Sequence, residues 1–84
     1  MSKKEKLLLK IQRHPKDFTW SELTRLLKTL GYEPRKKGKT GGARRQFIHP
    51  TAPPINLHKP HPQNTLKRYV IDDILEILEK EGMI

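Results

Sequence analysis

Cysteine is absent from the 84-residue chain. Its absence excludes a disulfide framework, a thiolate nucleophile and a cysteine zinc site. Long apolar runs are missing as well. The longest is Leu7 to Leu9, far short of a membrane-spanning helix or the apolar core of a secretory signal. A small, soluble, cytoplasmic protein with no membrane partner is expected. The third absence is local. From Pro34 to Ile71 there is no Asp or Glu, while nine basic residues occur: Arg35, Lys36, Lys37, Lys39, Arg44, Arg45, Lys59, Lys67 and Arg68. Basic and acidic residues cancel in the rest of the chain, so the formal net charge of +9 belongs to this one internal segment. Three of the four histidines lie there too.

What is present suffices for one small core. Leu, Ile, Val and Phe number 11, 7, 1 and 2, a quarter of the residues, above the fraction of about a fifth below which a charged chain stays disordered. Residues 2–13 carry Leu7, Leu8 and Ile11 at helical spacing among lysines, and Pro15 disfavours helix at His14. Residues 1–14 therefore read as a helical extension to a domain spanning 15–84.

Around Thr19 the signals for a helix start reinforce one another. Thr19 and Glu22 have the spacing of a capping box, and Phe18 and Leu23 that of a hydrophobic staple. Trp20, Leu23, Leu26, Leu27 and Leu30 then share one face, and Gly31 supplies a left-handed stop. Strands follow. Tyr32 to Lys36 is a weak one suited to an edge, because Pro34 cannot donate to a ladder. The glycine-rich turn Lys37 to Gly42 leads into Arg44 to His49, with Phe47 or Ile48 facing inward. Ile55 and Leu57 alternate with polar residues in a third strand. A last helix is predicted from about Leu66 to Glu81, capped by Asn64 or Thr65. Its buried stripe is Val70, Ile74, Ile77 and Leu78, widened by Ile71 and Leu75, with an acidic opposite face. The chain has no internal repeat. The fold class is α+β, with helices on one face of a small antiparallel sheet and the other face open to solvent.

A stripe of Arg and Lys on strands and a turn is the electrostatic footprint of a polyphosphate partner. The bland alternative, a solvated basic face, fits poorly because ordinary surfaces intersperse both signs. A membrane surface would call for a basic amphipathic helix instead, so nucleic acid is the better partner. Gly38-Lys39-Thr40 resembles the end of a P-loop, but that motif needs a Gly where Glu33 stands and a helix after the Thr. His58 and His61 are too few ligands for a closed zinc site; neither a metal nor another cofactor is expected. Metal-free phosphodiester cleavage needs a base for the 2′-hydroxyl proton and cations for the charge that builds on phosphorus. Imidazole titrates near neutral pH, and His49 and His61 both lie in the basic region.

Leu26 to Gly31, the glycine turn, Gly41 to Pro50 (GGARRQFIHP), Leu57 to Pro62 (LHKPHP) and the last helix together resemble the HicA toxins. These are small mRNA interferases of type II toxin–antitoxin modules. The likeness covers about Thr19 to Ile84. It implies an α-β-β-β-α two-layer sandwich like a double-stranded-RNA-binding domain, here with an extra N-terminal helix. It further implies cleavage of mRNA without a metal, restrained by a HicB-type antitoxin. Arg44 stands opposite the family's catalytic His, and an Arg stays protonated and cannot be a general base. Either His49 or His61 then takes over that work, or this member binds RNA without cutting it. The resemblance and the charge map select Arg44, Arg45 and His61 as functional, with Lys37, Lys39 and Lys59 as phosphate contacts. A protein-interaction domain docking an acidic partner is the remaining alternative.

Overall fold

In the computed structural model, residues 3–35, 44–60 and 63–84 are described, Arg44 by its backbone only. The elements are α1 (Lys3–Gln12), α2 (Trp20–Thr29), β1 (Glu33–Pro34), β2 (Arg44–Ile48), β3 (Ile55–His58) and α3 (Arg68–Lys80). This is the expected α+β order, α-α-β-β-β-α. The strands form one antiparallel sheet in the order β1-β2-β3. No helix among the described residues is long and apolar enough to cross a membrane.

The sequence dictates α2 most directly. The Thr19 side chain accepts from the Glu22 N–H at 3.1 Å, and Glu22 Oε1 accepts from the Thr19 N–H at 3.0 Å, which completes the capping box. The staple residues Phe18 and Leu23 are both fully buried. Gly31 ends the helix at φ +101°, in the left-handed region. α1 stops at Gln12, and His14, which precedes Pro15, takes φ +51°. Leu7 and Ile11 seat α1 in the same core as the other helices. Side-chain bridges help fasten it, among them Lys10 to Glu22 at 2.9 Å and His14 to Asp72 at 2.6 Å.

The start of α3 differs from the sequence reading. α3 begins at Arg68, and neither Asn64 nor Thr65 caps it; its N-cap is Lys67, which makes no side-chain cap hydrogen bond. Residues 64–66 have other work. Asn64 O accepts from Trp20 N at 2.8 Å, Leu66 N donates to Phe18 O at 2.8 Å, and Thr19 and Thr65 form a β-bridge. The chain stays extended there to bind the start of α2. The buried stripe of α3 is also rotated from the expected one: Ile71, Ile74, Leu75 and Leu78 are buried, while Val70 and Ile77 are half-buried at its margin.

In the sheet, Phe47 and Ile55 face the helices and are buried, and the Trp20 ring packs on Phe47 with centroids 5.9 Å apart. Ile48 takes the outer face and is 44 % exposed. β1 is reduced to two residues. Pro34 pairs with Phe47 while Arg35 N donates to Gln46 O at 2.8 Å. By strand alternation the Pro34 nitrogen, which lacks a proton, points away from β2, so the ladder loses nothing and that edge is blunted. β3 forms the opposite edge.

A candidate RNA-binding face and groove

The outer face of the sheet carries a polar ladder. Arg35 Nη1 donates to Gln46 Oε1 at 2.9 Å, and the Gln46 amide donates to Asn56 Oδ1 at 3.0 Å. His58 follows Asn56 by two residues, which puts it on the same face, and it is exposed. Its Cα partner across the ladder is Arg44. The register makes Arg45–Leu57 a hydrogen-bonded pair and Arg44–His58 a non-hydrogen-bonded one, the closer of the two kinds. Arg45 shares the parity of Phe47 and Leu57, the helix side of the sheet. It is exposed there, one residue after the start of β2.

The histidines divide sharply. His49, at the end of β2, is locked in place. Its Nδ1 accepts from the backbone N–H groups of Thr51 and Ala52 at 3.1 and 3.2 Å, and Nε2 lies 3.1 Å from Leu30 O. Two donors on Nδ1 assign the proton to Nε2, which donates to the carbonyl at the end of α2. The imidazole also packs on Tyr32, centroids 4.8 Å apart. A β-carbon on Gly31 would lie 2.8 Å from His49 Nε2, so a glycine is needed there for space as well as for φ. This histidine ties the end of α2 to the β2–β3 connection, and both its nitrogens are used in doing so. His14 belongs to the α1–α3 bridge. Among the described residues, His58 is the histidine that stands exposed beside the basic strands.

Beyond β3, an open groove of about 970 Å³ runs between that strand and α3. Ile55, Leu57, Val70 and Ile74 contribute apolar surface to it. His58, Lys59, Lys67 and Tyr69 line it too, as do Asp73 and Glu76 from farther along α3. Of the sequence-predicted residues, the sheet brings Arg44 and Arg45 alongside β3, and Lys59 joins the groove. Lys37, Lys39 and His61 lie outside the described residues. Sequence reasoning passed over His58 as a base and Tyr69 altogether. His58 had a signal, since the period-two pattern of β3 put it opposite Ile55 and Leu57. Tyr69 had none, because its neighbour in the helix, Val70, was read as the start of the buried stripe.

The described residues thus form an α+β fold with helices on one side of a small antiparallel sheet and basic residues on and beside its strands. Residues 20–82 match the family model described as the HicA toxin of bacterial toxin–antitoxin systems. The chain therefore belongs to the HicA toxin family, and its role is that of a toxin. α1 lies outside the matched residues. No curated protein and no solved structure matches the chain.

Proposed function

We propose that this toxin binds single-stranded mRNA across β2, β3 and the groove, cleaves it without a metal, and is held in check by a HicB-type antitoxin over the same surface. The observation that carries the reading is the acid-free segment from Pro34 to Ile71 with its nine cations, which includes β2, β3 and the start of α3. In the proposed step an imidazole takes the 2′-hydroxyl proton and the freed oxygen attacks phosphorus. The 5′ oxygen leaves with a proton from solvent or a second acid, and a 2′,3′-cyclic phosphate remains. Arg44, Arg45 and Lys59, with Lys37 and Lys39, stabilise the charge on the phosphoryl oxygens. With both nitrogens of His49 engaged, the base is assigned to His61 or to His58, which flank Lys59 and Pro60.

Incubation of the pure protein with a long mRNA in chelator tests the reading. Fragments ending in cyclic or 3′-phosphate are expected, lost in His58→Ala or His61→Ala. Binding should weaken with salt at a logarithmic slope of about −0.7 per phosphate neutralised. Persistent binding without cleavage at high protein excess would leave a non-catalytic RNA-binding toxin, the reading that Arg44 in place of a histidine favours. A flat salt response would exclude RNA as the partner. If instead Arg44→Ala plus Arg45→Ala abolished binding to an acidic protein and spared RNA affinity, the face would be a protein-docking surface.

A further inference from the structure

We propose that the basic end of the β3–α3 groove is a subsite for one unstacked nucleobase of a single-stranded RNA, which stacks on Tyr69 while Lys59 and Lys67 contact the adjoining phosphates. The inference rests on RNA being the ligand and goes beyond it by assigning the place where a base is held.

Tyr69 is the outlier among the aromatic residues. Phe18, Trp20, Tyr32 and Phe47 are all buried, whereas Tyr69 in the first turn of α3 is 62 % exposed. It contributes little to the core and offers a ring to solvent at the rim of a concave surface. Such a ring is a sequence-tolerant platform for a base, since every base has a π-face. The cations are placed to match: Lys59 and Lys67 are exposed and line the same groove. The α3 wall of the groove changes sign past Tyr69. Asp73 and Glu76 lie about one and two turns past Tyr69 on α3 and line the continuation. Their carboxylates repel a phosphate backbone, so the nucleic acid is confined to the basic end and can send only a base inward. An A-form duplex keeps its bases stacked and unavailable to a side chain, so the ligand is single-stranded. His58 lines the same groove.

The test uses a 2′-O-methyl single-stranded oligonucleotide, which cannot be cleaved through its 2′ oxygen, and a fully abasic oligomer of equal charge. Fluorescence anisotropy reads affinity for the wild type, Tyr69→Ala and Tyr69→Phe, and circular dichroism melting verifies that each is folded. Tyr69→Ala is expected to weaken binding to the base-bearing oligomer about tenfold, and Tyr69→Phe to leave it within about twofold. Wild type and Tyr69→Ala should bind the abasic oligomer alike. Equal affinities of the wild type and Tyr69→Ala for the base-bearing oligomer would overturn the subsite while leaving RNA binding intact. So would an equal loss on the abasic oligomer, because the effect would not then be stacking. Unchanged RNA affinity combined with weakened antitoxin binding would assign the groove to a protein strand added along β3. Failure of the wild type to bind either oligomer at low salt would overturn the RNA reading itself.

Discussion

The two helices that face the sheet start in opposite ways. α2 is closed at its N-terminus by its own chain, with Thr19 and Glu22 satisfying each other's backbone and Lys10 from α1 resting on the Glu22 carboxylate at 2.9 Å. α3 starts at Lys67 with no side-chain cap, beside an exposed Tyr69 and an open groove. The first end commits the Thr19 and Glu22 side chains to stability. The second leaves Tyr69 exposed beside a groove that Lys59 and Lys67 also line. The same division separates His49, held at both nitrogens, from exposed His58.

Perturbing the core beneath both helices gives the largest expected effect. Ile74 is fully buried, and Ile74→Ala should cost about 3 kcal/mol in denaturant unfolding. Gly31→Ala comes next, because it meets a left-handed φ and the His49 ring together. A loss of at least about 1 kcal/mol is expected. An unchanged midpoint would mean that His49 is not fixed against α2.

Removing the cap itself, Thr19→Ala, should cost about 1 kcal/mol. The acid dependence of stability reads the same end of α2. Burial pushes the Glu22 carboxyl up, but hydrogen bonds from Lys10 and from the Thr19 backbone, with the Lys10 charge, outweigh it and hold the group below its ordinary 4.5. A lowered carboxyl value stabilises the fold above the unfolded-state value, and that contribution is lost as pH falls through the folded-state one. Stability should therefore drop on acidification through and below pH 4.5, and the drop should be smaller in Glu22→Gln. Lys10 has the opposite sign. Its hydrogen bond to Glu22 raises it above 10.5 despite partial burial, so its contribution holds below that value and fades in stronger alkali.

The smallest stability effect is expected at the open end, where Tyr69→Ala should change unfolding by less than about 0.5 kcal/mol. A larger loss would place Tyr69 with the fold and erase the contrast between the two ends. Tyr32→Phe is a second near-neutral case inside the core. Its buried hydroxyl has no hydrogen-bond partner among the described residues, and burial, then the Glu81 charge, pushes its phenol up. Deleting that oxygen should leave stability unchanged or raise it by up to about 1 kcal/mol.

Local chemistry made much of the fold readable in advance. The start and stop of α2, the break at His14, the weakness of β1 and the alternation of β3 each depend on residues within a few positions of one another. The same locality explains the misreading of residues 64–66. Asn64 and Thr65 are good caps by type, but their backbone groups are taken by residues 18–20, some forty-five positions away, which no local pattern discloses. The candidate site was half visible for the same reason. Charge is additive along a sequence, so the basic segment could be found by counting. Which histidine is free to react depends on what each ring touches.

By itself, then, the sequence determined a small α+β chain with one acid-free segment, because helix caps, strand alternation and net charge are properties of neighbouring residues. Tertiary structure decided the rest. It consumed both nitrogens of His49 in joining the end of α2 to the β2–β3 connection, paired Arg44 with His58 across a ladder, and turned Tyr69 outward over a groove, because those outcomes follow from contacts between segments that only folding brings together.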